Sequence, residues 1–112
     1  MAKPATRSYS RYSEEAARLL GQAIRLARID RKLTVEELAE RAGMSRGLVQ
    51  RVERGDMGCA IGAVFEVAAI VGVRLFDADE PTVAAKIASN DQLLTLLPHS
   101  VRNPVRRVRD DF

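Results

Sequence analysis

Tryptophan is absent, and cysteine and histidine occur once each, as Cys59 and His99. A single Cys excludes a disulfide framework, and the pair leaves too few ligands for a structural zinc site of the usual Cys/His kind. Aromatic residues are scarce as well: Tyr9, Tyr12, Phe65, Phe76 and Phe112 are the full set. A core must then be built from Ala, Leu, Val and Ile, which favours helix packing over a β-sandwich. No apolar run approaches the roughly 20 residues of a membrane span. Residues 1–12 (MAKPATRSYSRY) lack the hydrophobic stretch of a secretory signal, so the expected compartment is the cytoplasm. A converging set of activated groups, which catalysis needs, is missing too. Neither enzymatic activity nor a cofactor, metal or small-molecule substrate is expected.

What is present fits one soluble domain. The 112 residues are too few for two ordinary domains, and 46% hydrophobic with 29% charged is a globular mixture. The net charge is only +3 but is unevenly placed. Residues 1–33 hold eight Lys/Arg against three Asp/Glu, and residues 99–112 hold four against two. Residues 61–98 reverse the balance, with two against five. Basic ends suit a polyanion and an acidic body avoids one. Ordinary solvated charge explains the same numbers, so composition leaves the question open.

Residues 1–12 mix Pro, Ser, Thr and basic side chains without apolar period, as a loosely attached arm does. Ser13, ahead of Glu14 and Glu15, is expected to cap a helix running to about Asp30. Leu20, Ile24 and Ala27 form its buried stripe, widened by Ala16, Leu19 and Ala23, with Arg18, Arg25 and Arg28 largely off it. Thr34 opens a second helix and stands three residues before Glu37, the spacing of a capping box. Leu38, Ala39 and Ala42 are its buried face, and Gly43 ends it in the left-handed conformation. Ser45 caps a third helix, from Arg46 to about Arg54, with Leu48, Val49 and Val52 inward and Gly55 as the stop. A connection of about three residues sets the two helices near perpendicular.

A loop over residues 56–60 leads to a fourth helix over 61–71, with Val64, Val67, Ala68 and Val71 as its stripe and Gly72 at its end. Residues 73–76 (VRLF) read either as a short strand or as an extended packing segment. Pro81 suits the first position of a fifth helix. Val83, Ala84 and Ile87 would be its apolar face, and Ser89 and Asn90 an interruption. Leu93, Leu94, Leu96 and Leu97 follow, ahead of Pro98. Residues 98–112 carry two prolines, four arginines and little to pack, and read as an extended or disordered tail. The sum is an all-α fold of five helices with flexible ends. It divides into an arm (1–12), a helical domain (13–77), a helical dimerisation or packing extension (78–97) and a tail (98–112). Cys59 reads as a small loop or core residue and His99 as solvated.

The segment 34–55, TVEELAERAGMSRGLVQRVERG, resembles the helix-turn-helix of the Cro/lambda-repressor (Xre) family. Thr34, Glu37-Leu38-Ala39, Ala42-Gly43, Ser45, Val49 and Glu53-x-Gly55 carry the likeness, in that order. Leu20, Ile24, Arg25 and Arg28 fit the family's first helix, so the likeness spans about residues 14–76. It implies a lambda-repressor-like domain that places its third helix in the major groove of double-stranded operator DNA, a groove about 12 Å wide. The exposed positions there would be Arg46, Gly47, Gln50, Arg51 and Arg54. By the resemblance, Ser45 reaches a phosphate, while Arg46, Gly47 and Arg51 face base edges. Arg is the commonest bidentate reader of guanine, and Gln50 suits adenine or a phosphate. Gly47 permits close approach, and Arg54 is better placed for phosphates. Val35 departs from the Gln that the family often carries after the capping Thr, which puts one phosphate contact in doubt. Glu53, negative beside this face, suits a structural role. Tyr9 and Tyr12 with Arg7 and Arg11 read either as a DNA-tracking arm or as a flexible terminus.

Domains of this kind usually dimerise on a pseudo-palindrome. The expected dimer surface is Phe65, residues 73–76 and the leucine cluster. A second resemblance, to the HipB-like antitoxins that are partnered with HipA-type kinase toxins, is carried by GCAIGAVFEVAAIVGVRLFD at residues 58–77 and by the terminal VRDDF. It implies a homodimeric repressor of its own operon that also binds and neutralises a kinase toxin. Asp110, Asp111 and Phe112 would bind that partner, since two negative charges beside a terminal aromatic suit a pocket with a basic rim. Two alternatives stay open. One is a stand-alone Xre-type regulator without a toxin, in which residues 78–97 complete the dimer. The other is a protein-interaction adaptor that keeps the fold without useful DNA binding.

Overall fold

A computed structural model of the chain describes residues 8–101. Five α-helices follow one another: α1 (Arg11–Asp30), α2 (Val35–Ala42), α3 (Arg46–Glu53), α4 (Ile61–Val71) and α5 (Glu80–Thr95). Helices α1 to α4 belong to one compact unit ending at Asp77, and α5 to a second beginning at Ala78. No strand occurs among the described residues, so the fold is all-α, as the sequence implies. Arg7, Asp110, Asp111 and Phe112 lie outside the described residues, as do residues 1–7 of the arm expected at 1–12 and residues 102–112 of the tail expected at 98–112.

The helix ends follow local hydrogen-bond chemistry. Thr34 Oγ1 accepts from the Glu37 amide at 3.0 Å, and Glu37 Oε1 accepts from the Thr34 amide at 2.8 Å. This capping box satisfies two of the backbone donors that a helix start leaves unpaired. The Thr34 amide, donating to the carboxylate, holds Glu37 below the usual carboxylate range. Gly43 ends α2 with φ of 67°, a conformation that a side chain would strain. Ser45 Oγ accepts from the Leu48 amide at 3.1 Å and starts α3. The start of α1 differs from the expectation. Ser10, not Ser13, is the cap, and its Oγ accepts from the Ser13 amide at 3.2 Å. Both serines can cap, and beginning at Ser10 adds a turn that draws Arg11 and Tyr12 out of the arm and into the helix.

One core joins the four helices of the first unit. Ile24 comes from α1, Leu38 and Ala39 from α2, Val49 and Val52 from α3, and Val67, Ala68 and Val71 from α4. All are aliphatic, as the shortage of aromatics requires. The inward stripe of α1 needs correction. Gly21, Ile24 and Arg28 are buried, whereas Leu19 is 68% exposed. The reason is a close crossing. A Cβ at position 21 would lie 2.6 Å from the Val52 carbonyl oxygen and 2.7 Å from that of Glu53. The end of α3 therefore rests on α1 at Gly21. That contact turns Arg28, on the same face one turn beyond Ile24, toward the interior.

Residues 73–76 form no strand, and Val73 and Leu75 pack against the core. After Gly72 the Val73 amide donates back to the Ala68 carbonyl at 2.9 Å, closing the end of α4. The chain then enters a short 3-10 turn, Leu75–Asp77, in which Phe76 and Asp77 take φ of 54° and 55°. The Phe76 ring meets Phe65 edge-on, with centroids 6.4 Å apart. In the second unit, Asp79 Oδ1 accepts from the Thr82 amide at 2.9 Å and starts α5, so Pro81 falls at the second helical position. Helix α5 runs unbroken through Ser89 and Asn90. These residues cost a helix only about half a kcal/mol each relative to Ala, far less than Pro. No residue of α5 is buried.

Candidate nucleic-acid interface

Helix α3 has two faces. Val49 and Val52 enter the core, and Leu48 is half-buried beside them. Arg46, Gly47, Gln50 and Arg54 are exposed, and Arg51 is partly so. With 3.6 residues per turn these five positions fall on an arc of about 140°. The exposed set expected from the sequence is thus gathered on one side of one helix. Ser45 stands at the head of that helix. Its oxygen accepts from the Leu48 amide, which leaves its hydroxyl hydrogen to donate outward.

Glu53 does not share the arc. Its carboxylate takes Arg28 Nε at 2.6 Å and Arg28 Nη2 at 3.1 Å, and both side chains are about nine-tenths buried. Arg28 Nη1 also donates to the Leu33 carbonyl at 2.9 Å. One guanidinium therefore ties together the end of α1, the connection to α2 and the end of α3. It also neutralises an acid that would otherwise stand beside the basic face. The structural role expected of Glu53 is the one found, while Arg28 lies inside rather than off the buried stripe.

Arg51 is held differently. Its Nε donates to Asp56 Oδ2 at 3.0 Å and its Nη2 to Asp56 Oδ1 at 3.4 Å. Asp56 Oδ1 also accepts from the Gly58 amide at 2.7 Å. The Arg51 hydrogen bonds, followed by that amide, keep the Asp56 carboxyl below its usual range. A guanidinium has five N–H donors. The carboxylate engages two, which leaves three for other partners, and the side chain is 43% exposed. Asp56, which holds this arginine, is a residue that the sequence reading missed. The available signal was an acid five residues after Arg51, just past the Gly55 stop. Nearby Cys59 packs against the core, and burial pushes its thiol up, which disfavours the reactive thiolate.

The neighbouring surface is acidic. Glu36, Glu37 and Glu40 of α2 line a shallow cleft with Arg46. Val35 packs against the core, so the position where a phosphate-binding Gln was looked for is half-buried and apolar. The α2 side is negative, whereas Arg46 and Arg54 bring positive charge to the α3 face and Arg51 shares its charge with Asp56.

A family model of the helix-turn-helix domain matches residues 19–80, more than half of the chain. The chain belongs to the helix-turn-helix family. No curated protein matches its sequence. Within this Xre-like helix-turn-helix protein, α2, the turn at Gly43 and α3 are the motif, and α1 and α4 are its scaffold. The matched span closes at Glu80, where α5 begins. The protein is a DNA-binding regulator. Among the described residues, no helix is long and apolar enough to cross a membrane.

Proposed function

We propose that the protein is a sequence-specific repressor that binds operator DNA as a homodimer, with α3 as the recognition helix of each half-site. The observation that carries this reading is the exposed arc of Arg46, Gln50, Arg51 and Arg54 on a helix whose other face is locked into the core. Arg46 and Arg51 read base edges, Gly47 lets the helix approach, Gln50 reads adenine or braces a phosphate, and Ser45 and Arg54 hold phosphates. Asp56 orients the Arg51 fork before DNA arrives, which lowers the entropy lost on binding. The test uses an operator selected from a random DNA pool and fluorescence anisotropy on operator and scrambled duplexes. Arg51→Ala is expected to lose about 1–3 kcal/mol of discrimination. Arg54→Ala is expected to weaken both duplexes alike and to flatten the salt dependence by about 0.9 on the log–log slope. An unchanged operator-to-scrambled ratio for Arg51→Ala would remove it from the base readers. Binding that barely responds to salt would favour the adaptor.

The same reading extends to a protein partner. The protein acts as the antitoxin of a HipA-type kinase toxin, docking through Asp110, Asp111 and Phe112. The support is chemical and lies in the sequence: two carboxylates and an aromatic ring in three consecutive residues. Affinity capture from the native host with the full chain is expected to retain a kinase. The triple variant Asp110→Lys, Asp111→Lys, Phe112→Ala is expected to lose it and to keep operator binding. Absence of a kinase from both captures would leave the stand-alone regulator.

A further inference from the structure

We propose that α5 is a parallel self-association helix, pairing in register with α5 of a second copy of this chain. The seam is Val83, Ile87, Asn90 and Leu94, and Lys86 of each copy faces Asp91 of the other. The inference rests on the homodimer reading above and supplies its interface.

The starting observation is a helix whose apolar residues are largely exposed among the described residues, Val83 alone of the seam being half-buried. Ile87 is 56% exposed and Leu94 65%, and no residue of α5 is buried. Within the helix the seam positions are spaced four, three and four residues apart. That alternation is the heptad pattern of two helices wound about each other. The positions facing away from the seam are small or polar: Ala85, Ala88, Ser89, Gln92 and Thr95.

Two features choose the orientation. Past its first residue, α5 carries only two charges, Lys86 and Asp91. They flank opposite sides of the seam and stand five residues apart. This is the spacing at which a flanking residue of one helix meets an opposite charge on its partner in a parallel pair in register. An antiparallel pair brings Val83 opposite Leu94, which sets Lys86 against Leu93 and Asp91 against Ala84, so neither charge finds its complement. Asn90 gives the same answer. In the parallel register its amide meets the same amide of the second copy, where each can donate and accept. In the antiparallel one it faces Ile87. A lone Asn in an apolar seam fixes register and pairing at a cost in stability. Parallel pairing also brings the two Ala78 attachment points to one end of the helix pair, as two domains reading adjacent half-sites require.

The test has two arms on the full chain. In a Cys59→Ser background, Val83→Cys is oxidised under mild conditions. The parallel register sets the two cysteines face to face, within disulfide reach. The antiparallel register holds them eleven residues apart along the axis, about 16 Å, well beyond the roughly 7 Å limit between Cα atoms. A covalent dimer is therefore expected. In the second arm, light scattering follows Lys86→Glu and Asp91→Lys. Each variant alone is expected to associate several-fold more weakly than the parent, because each homodimer then faces like charges. Mixing the two restores both opposite-charge pairs and is expected to yield a heterodimer. The two positions are exposed, so the fold is not at stake. A dimer that neither cross-links at position 83 nor responds to the charge variants would overturn the proposal and leave the dimer reading intact, with the exposed α1 face of Leu19 and Leu26 as its interface. A chain that stays monomeric in solution and binds the selected operator as one copy would overturn both.

Discussion

Glu53→Ala is expected to destabilise the protein by about 3 kcal/mol, several times the effect of losing a surface ion pair. The carboxylate meets Arg28 through two hydrogen bonds, and the side chains are only 7% and 10% exposed. Removing Glu53 leaves a guanidinium buried with only the Leu33 carbonyl as partner. The cost is chiefly that stranded charge, and the residual exposure places it at the lower end of the range for buried pairs. The complementary change tests the cause. Arg28→Met combined with Glu53→Leu removes both charges and fills the space, so the double variant is expected to regain most of the lost stability. Urea denaturation of Arg28→Met, Glu53→Leu and the double variant, treated as a double-mutant cycle, gives the coupling. A Glu53→Ala loss below about 0.5 kcal/mol would make the pair an ordinary surface contact. DNA affinity is expected to fall as well, because the pair fixes the end of α3 against α1.

This ion pair also shows where the sequence stops being legible. The capping box at Thr34 and Glu37, the turn at Gly43, the Ser45 cap and the end of α4 at Gly72 all rest on contacts within a few residues, and each was readable from spacing. Arg28 was not, because its partner lies 25 residues away and an arginine does not enter an apolar count. The usable clue was Gly21, seven residues before Arg28 and on the same face. Omitting that glycine from the stripe moved the inferred inward face toward Leu19. The 3-10 turn at Leu75–Asp77 was hidden for a related reason. Valine, leucine and phenylalanine suit a strand locally, but the Val73 amide is taken by the end of α4. At the candidate interface, helical period alone gathers Arg46, Gln50, Arg51 and Arg54 on one face. The clamp of Asp56 on Arg51 depends on the path of the loop, which periodicity does not describe.

Gly21→Ala is expected to lower the melting temperature by roughly 10–20 °C, corresponding to about 3 kcal/mol in a domain of this size. Alanine is normally the better helix former, by about 1 kcal/mol, so the sign itself is diagnostic. At position 21 the added methyl would stand 2.6 Å from the Val52 oxygen, 2.7 Å from the Glu53 oxygen and 2.9 Å from the Glu53 carbonyl carbon. All three atoms are backbone, so no side chain can swing aside. Relief requires lifting the end of α3 from α1, which opens the core at Val52 and strains the Arg28–Glu53 pair next to it. Gly62→Ala in α4 is the matched control. A Cβ there meets nothing within 4 Å, and the same chemical change is expected to be neutral or to stabilise by about 0.5–1 kcal/mol. Melting curves of the two variants check both signs in one experiment. Operator binding well below the melting point adds a functional reading: Gly21→Ala tilts the recognition helix and is expected to lose affinity while still folded, whereas Gly62→Ala keeps it. If Gly21→Ala melted within a few degrees of the parent, the close crossing of α1 and α3 would not be what positions the arginine face.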